Sequence, residues 1–159
     1  MSDPLATYLQ DHLAGAMAGV EILESLRDQH AGEPLGRFAA KLLVEIEADR
    51  DLLQSLVDQV GGSSRIKEAT AWVGEKISRL KFSRQAGGDL ATFEALEALS
   101  LGILGKRALG KALNAVAGQD ARLANPDLAE LAMRSQSQFV RVEKRRILAA
   151  QAALSPRRS

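Results

Sequence analysis

The sequence predicts an all-α protein built as an up-down bundle of four long helices. Alanine and leucine, which are strong helix formers, dominate a chain that has only four Phe, one Trp and one Tyr. Apolar residues recur at intervals of three and four, which is the spacing of one face of a helix. Glycine and proline residues then divide the 159 residues into segments of helical length.

The first helix is expected over residues 4–29. Asp3 is suited to cap its start, and Pro4 is suited to the first helical position. Its apolar stripe carries one polar residue, His12. The helix is expected to end before Gly32, because glycine adopts the backbone conformations that terminate helices.

The second helix is expected over residues 34–60, and Gly61 is expected to end it. Its apolar residues follow one another at spacings of three and four. Asp49 interrupts this stripe, and Glu45 lies one turn earlier near its edge.

An extra, shorter helix is expected over residues 65–82, in the long connection between the second and third helices. A helix of about 18 residues spans roughly 27 Å, which is enough to run most of the length of a bundle. One long crossover of this kind occurs in ferritin-like folds. The direction of the third helix relative to the second stays open.

The third long helix is expected over residues 90–117 with Asp89 as its N-cap, and the fourth over residues 127–154. The third helix is apolar on more than one side, so we expect it to be the most buried. Each of its glycines costs about 1 kcal/mol of helix propensity, which predicts a close helix contact or a bend. These glycines are Gly102, Gly105 and Gly110.

Polar residues on the apolar stripes predict two pairs between helices. Counting about 1.5 Å per residue from each turn places His12 level with Asp49, and Glu97 level with Arg146. We expect both pairs to be buried and to fix the register of the helices. The alternative for Arg146 is the binding of a small anion, since a guanidinium binds anions bidentately.

A metal site is a further alternative. Carboxylate bundles that bind two irons need a Glu from each of two helices and a Glu-x-x-His motif from each of the others. The chain has no Glu-x-x-His, so this ligand set is incomplete. A mononuclear or degenerate site for iron or manganese stays open. Its candidate ligands are His12, Glu45, Asp49, Glu94 and Glu97.

The composition argues against several classes of function. Zero Cys excludes disulfides, thiolate zinc sites and a Cys nucleophile. With 21 Lys+Arg against 20 Asp+Glu, no general attraction to nucleic acid is expected. No signal peptide and no membrane-spanning stretch is recognisable, so a cytoplasmic protein is expected. No phosphate-binding loop or nucleophile elbow is found, and this favours a non-catalytic protein.

Residues 1–154 are expected to form a single domain, followed by a frayed basic tail at residues 155–159. The first helix also has a smooth face made of small residues. This face is expected either to pack against the glycines of the third helix or to form a homodimer. The small residues are Gly15, Ala16, Ala18 and Gly19.

Four segments of the chain carry a resemblance to a known kind of protein. They read YLQDHLAGA at 8–16, EIEADR at 45–50, AWVGEK at 71–76 and LEAL at 96–99. On these segments the chain resembles a family of small, uncharacterised bacterial proteins of the ferritin-like, four-helix type. The resemblance implies a bundle, and ferritin-like proteins imply iron storage or oxidation. No catalytic residue is carried over, because the ferritin-like ligand pattern is not matched.

Overall fold

The computed structural model describes residues 3–61 and 88–156, and these residues are all-helical, without strands. The four long helices are α1 (Pro4–Gln29), α2 (Pro34–Val60), α3 (Asp89–Val116) and α4 (Leu128–Leu154). Two single turns of 3₁₀ helix, Ala117–Gln119 and Ala121–Leu123, lie between α3 and α4. Among the described residues, no helix is long and apolar enough to cross a membrane.

Over the described residues the predicted all-helical architecture with four long helices is confirmed, and side-chain capping explains where α1 and α4 begin. The Asp3 carboxylate accepts a hydrogen bond from a backbone N–H in the first turn of α1. Asp127 caps α4 in the same way, so α4 begins one residue later than expected. Asp89 is not the cap of α3 but its first residue, because Gly88 occupies the cap position with φ at 52°.

Side-chain contacts show that α4 runs antiparallel to α2. Glu45 contacts Arg141, whereas Asp49, one turn further along α2, contacts Arg134. As the residue number rises along α2, the number of the partner on α4 therefore falls. Long side chains bridge the two helices at the middle of their lengths.

The same reasoning shows that α3 is antiparallel to α4. Ser100 donates to Glu143, whereas Lys106 donates to Gln138, which lies earlier in α4. Since α2 and α3 both run opposite to α4, they are parallel to each other. The end of α2 and the start of α3 therefore lie at opposite ends of the helices, which decides the direction that the sequence left open.

The shorter helix expected over residues 65–82 lies outside the described residues. Residues 157–159 of the expected tail lie outside them as well. The expectation that α3 is the most buried helix is not met. α1, α2 and α3 each bury nine residues, and Leu101 of α3 is exposed.

Two clusters of buried apolar side chains hold the helices together. One cluster includes Ile46 of α2, Ile103 of α3 and Val142 of α4. The other includes Leu53 of α2 and Leu109 of α3. Between these positions the inward-facing residues are Asp49 of α2, Lys106 of α3 and Gln138 of α4, so a polar layer separates the two apolar clusters.

The three glycines of α3 have different surroundings. A Cβ atom added at Gly110 would lie 3.0 Å from the backbone nitrogen of Ala132 and 3.2 Å from its Cβ. At Gly102 and Gly105 an added Cβ atom would meet nothing within 4 Å. The predicted close helix contact therefore holds at Gly110, where the α3 and α4 backbones meet, and the other two glycines border open space.

The different surroundings of these glycines predict that alanine substitutions have opposite effects on stability. We expect Gly110→Ala to lower the free energy of unfolding by about 1–3 kcal/mol, because the α4 backbone must move away. We expect Gly102→Ala to raise it by about 0.5–1 kcal/mol, because alanine favours the helix and meets no neighbour. Urea unfolding followed by circular dichroism measures both. Stabilisation by both substitutions would contradict the close approach at Gly110.

Candidate functional site

A buried carboxylate, Asp49, lies at the centre of the polar layer. Its side chain is 1% exposed. Lys106 of α3 donates from Nζ to Asp49 Oδ2 at 2.5 Å, and Arg134 of α4 donates from Nε to Oδ1 at 3.0 Å. Gln138 Nε2 lies 3.3 Å from Oδ2. Three helices therefore meet at one carboxylate.

A second carboxylate extends the layer towards the surface. Arg141 donates to both oxygens of Glu45, from Nη1 at 2.9 Å and from Nη2 at 2.7 Å. Gln138 joins the two carboxylates, since its amide nitrogen also lies 3.4 Å from Glu45 Oε1 and its oxygen accepts from Lys106. Spacings of three and four residues on α2 and α4 place these side chains on facing sides of the two helices.

The cations keep the carboxylates of this layer ionised. Burial acts to raise the pKa of Asp49, but the Lys106 ammonium and the Arg134 guanidinium outweigh it and lower that pKa. Hydrogen bonds from Arg141 lower the pKa of Glu45. Burial lowers the pKa of Lys106, and Asp49 partly offsets this effect. The layer is thus an ion-pair network rather than a set of neutral hydrogen bonds.

The predicted His12–Asp49 pair needs correction, because Lys106 and Arg134 occupy the oxygens of Asp49. The His12 ring instead packs edge-on against Tyr8, with 4.6 Å between the ring centroids. Burial lowers the pKa of His12, although Asp11 opposes this shift. Fully charged donors bind a buried carboxylate more strongly than a neutral imidazole does, which explains the different partner.

The predicted contact between Glu97 and Arg146 is present, at 3.3 Å between Oε2 and Nη1, but it is exposed rather than buried. The main partner of Arg146 is Glu143, which accepts from Nε and Nη2 at 2.8 Å each. Because two carboxylates already bind this guanidinium, a small anion would have to compete with both. The geometry therefore gives the anion-binding alternative little support.

The five candidate metal ligands lie in three places. Glu45 and Asp49 are brought together, but in contact with cations. Glu94 and Glu97 lie on an exposed side of α3, and His12 lies on α1. Over residues 3–61 and 88–156, no three His, Asp or Glu side chains are grouped so that they could hold a metal ion. A site for iron or manganese stays a prediction.

Sequence reasoning missed Lys106, Arg134 and Arg141 as members of the network. Lys106 carried a signal, since it interrupts the apolar spacing between Ile103 and Leu109 on α3. The two arginines of α4 carried none, because positions on the flank of a helix are normally solvated.

A cavity of about 450 Å³ lies between α1, α2 and α3. Its walls are mainly apolar, and glycines of α1 and α3 leave space where other residues would have side chains. Four polar residues contribute to the lining: Asp11, His12, Asp49 and Lys106. The ion-pair network therefore forms part of the wall of an otherwise apolar cavity.

Comparisons with known proteins give no further guide to this site. No family model, no curated protein and no solved structure matches the chain. The shape and chemistry of the cavity therefore carry the functional interpretation. A mainly apolar cavity with a few polar groups is the usual form of a small-molecule site.

The network predicts how stability responds to substitution and to pH. We expect Asp49→Asn to lower the free energy of unfolding at pH 7 by about 3 kcal/mol, because Lys106 and Arg134 lose the charge they face. The pKa of Asp49 is lowered by folding, so its contribution is present above the usual Asp pKa of about 4. That contribution is lost as the pH falls further. The free energies of unfolding of the unmodified protein and Asp49→Asn should therefore become equal in acid.

Urea unfolding between about pH 3 and pH 7 tests this expectation. Asp51→Asn is the matched control, since Asp51 lies on the same helix and is exposed. It should change the free energy of unfolding by less than about 0.5 kcal/mol. Equal effects of the two substitutions at pH 7 would contradict a central role for Asp49.

Proposed function

We propose that this protein binds a small, mainly apolar molecule in the cavity between α1, α2 and α3. The observation that carries the proposal is the volume of about 450 Å³, which is within the range typical of ligand sites. The cavity opens to solvent on one side, where Leu101 is 63% exposed, so apolar surface of the lining faces water. A bound molecule would remove this apolar surface from water, which favours binding.

The lining indicates the kind of molecule that fits. Branched apolar side chains from all three helices, among them Ile22, Leu53 and Leu99, favour an apolar body. A cavity of this volume holds on the order of 20 non-hydrogen atoms at the packing density of proteins. Burial of apolar ligand surface then contributes about 25 cal/mol per Å² to binding.

We favour binding over catalysis because of the state of the polar groups. The oxygens of Asp49 accept hydrogen bonds from cations, and its lowered pKa makes it a weak base. Within the described part of the chain, His12 has no hydrogen-bonded carboxylate that would orient it as a catalytic base. The polar groups are better suited to recognition than to proton transfer.

Filling the cavity should abolish binding without harming the fold. We expect Gly105→Leu to remove saturable binding of butylbenzene, because the new side chain occupies the cavity. Its thermal stability should stay equal or rise, since leucine favours the helix over glycine. Chemical-shift changes in ¹H–¹⁵N spectra during titration measure the binding.

Ala108→Leu is the control for this experiment. Ala108 is an exposed residue of the same helix, so the variant should bind butylbenzene as the unmodified protein does. Unchanged binding by Gly105→Leu, or no saturable binding by the unmodified protein, would refute the proposal.

Metal binding, the ferritin-like alternative, is the weaker proposal. Glu45 and Asp49, two of its candidate ligands, already have cationic partners in Arg141 and Lys106. A divalent ion would have to displace these cations and would be repelled by any that stayed nearby.

A second proposal is self-association of two copies through the outer side of α4. Four apolar residues there recur every seven positions, the spacing at which helices pack in coiled coils. They are 45–73% exposed. The residues are Met133, Val140, Ile147 and Leu154.

This row of apolar residues is suited to contact the same row on a second copy of the protein. Gln136, Ser137 and Gln151 flank the row and carry no charge. Its exposed charged neighbours, Glu130 and Lys144, have opposite signs, so two identical rows can meet without repulsion. The row extends over about 30 Å. Two such rows bury on the order of 1,000 Å², which is the lower limit for a specific interface.

Sedimentation velocity tests the self-association. We expect a dimer at micromolar concentration for the unmodified protein and a monomer for Ile147→Glu, because a buried, unpaired carboxylate opposes the contact. Val44→Glu is the control, since Val44 is an exposed apolar residue of α2 outside the row. A monomeric unmodified protein, or equal effects of both substitutions, would contradict this interface.

A further inference from the structure

We propose that the molecule bound in the cavity carries a hydrogen-bond acceptor, a carbonyl or carboxylate oxygen, and that Lys106 Nζ binds this oxygen. The inference rests on the proposed function, since it specifies the polar end of the ligand. It is carried by the geometry around Lys106, which belongs both to the ion-pair network and to the cavity wall.

The Lys106 ammonium has one donor to spare. An ammonium group has three N–H bonds in a tetrahedral arrangement. Two of them are directed to Asp49 Oδ2 and to Gln138 Oε1, on the α2 and α4 sides. The third has no partner among the described residues, and the tetrahedral geometry directs it away from the other two. Since Lys106 lines the cavity between α1, α2 and α3, this third N–H is available to a ligand there.

The acceptors of the buried carboxylate at this wall are already used. Asp49 Oδ1 accepts from Arg134, and Oδ2 accepts from Lys106 and lies near Gln138 Nε2. Asp11, the other carboxylate of the lining, is exposed, so a ligand that carries only donors would find no free carboxylate oxygen in the buried part of the cavity. A ligand that carries an acceptor would satisfy a charged donor that otherwise depends on water, and such hydrogen bonds are among the stronger ones.

His12 adds a second donor to the cavity wall without adding charge. Burial lowers the pKa of its imidazole, which favours the neutral ring, and a neutral imidazole carries one N–H. The polar part of the lining therefore offers donors from both α1 and α3 to an oxygen of the ligand.

Three probes of one shape test the inference. Phenylbutanoate carries a carboxylate, benzylacetone carries a neutral carbonyl, and butylbenzene carries no acceptor. We expect the two oxygen-bearing probes to bind the unmodified protein about tenfold more tightly than butylbenzene does, measured by NMR titration. This comparison requires no substitution, so it holds whether or not a variant folds.

Lys106→Met then assigns the preference to one side chain. Methionine keeps an unbranched apolar stem of four atoms and lacks the ammonium group, and Asp49 keeps Arg134 and Gln138 as partners. The variant should bind butylbenzene as before and lose the preference for the two oxygen-bearing probes. Lys111→Met, an exposed position on the same helix, is the control and should keep the preference.

The outcomes separate this inference from the proposed function. Equal affinity of the unmodified protein for all three probes overturns the role of Lys106 but leaves the cavity as a binding site. A preference that persists in Lys106→Met also overturns that role. Binding of none of the probes refutes the proposed function, and the inference falls with it.

Discussion

The burial of the Asp49 carboxylate is the constraint on which the arrangement of α2, α3 and α4 depends. A charge removed from water is stable only when it is paired and hydrogen-bonded. Its partners, Lys106 and Arg134, come from two other helices, so the three helices must keep one common register. A slip of one residue along any of them moves a partner by about 1.5 Å and turns it by about 100°, which breaks these contacts.

The position of the cavity is explained by the extent of the ion-pair network, which does not include α1. α2, α3 and α4 are tied together by charge, whereas on the α1 side positions that lack side chains, such as Gly15 and Gly102, border open space. The helices therefore leave a cavity on the α1 side while the network holds their middle together. The same constraint that fixes the register also places charged groups beside an apolar space, which makes Lys106 the natural contact for a polar end of a ligand.

The sequence predicted the helices well because their ends depend on local chemistry. Asp3, Pro4 and Gly61 determine boundaries through their own backbone and capping preferences. The partner of Asp49 could not be predicted in this way. Counting residues along helices gives the height of a side chain but not the direction of its neighbours, and Lys106 reaches Asp49 because its long side chain extends from α3 into the interior between the helices.

The glycines of α3 also show that neighbours in space cannot be predicted from the sequence alone. Gly110 and Gly105 look alike in the sequence, yet one lies against the α4 backbone and the other borders the cavity. A glycine in a helix indicates that a side chain is missing, and only packing decides whether a backbone or a void takes its place. At the middle of α3 the cavity lies beside an oriented donor, because Asp49 and Gln138 already hold the Lys106 ammonium in position. A donor held in this way loses little conformational freedom when a ligand binds, so the network that fixes the fold also prepares the site.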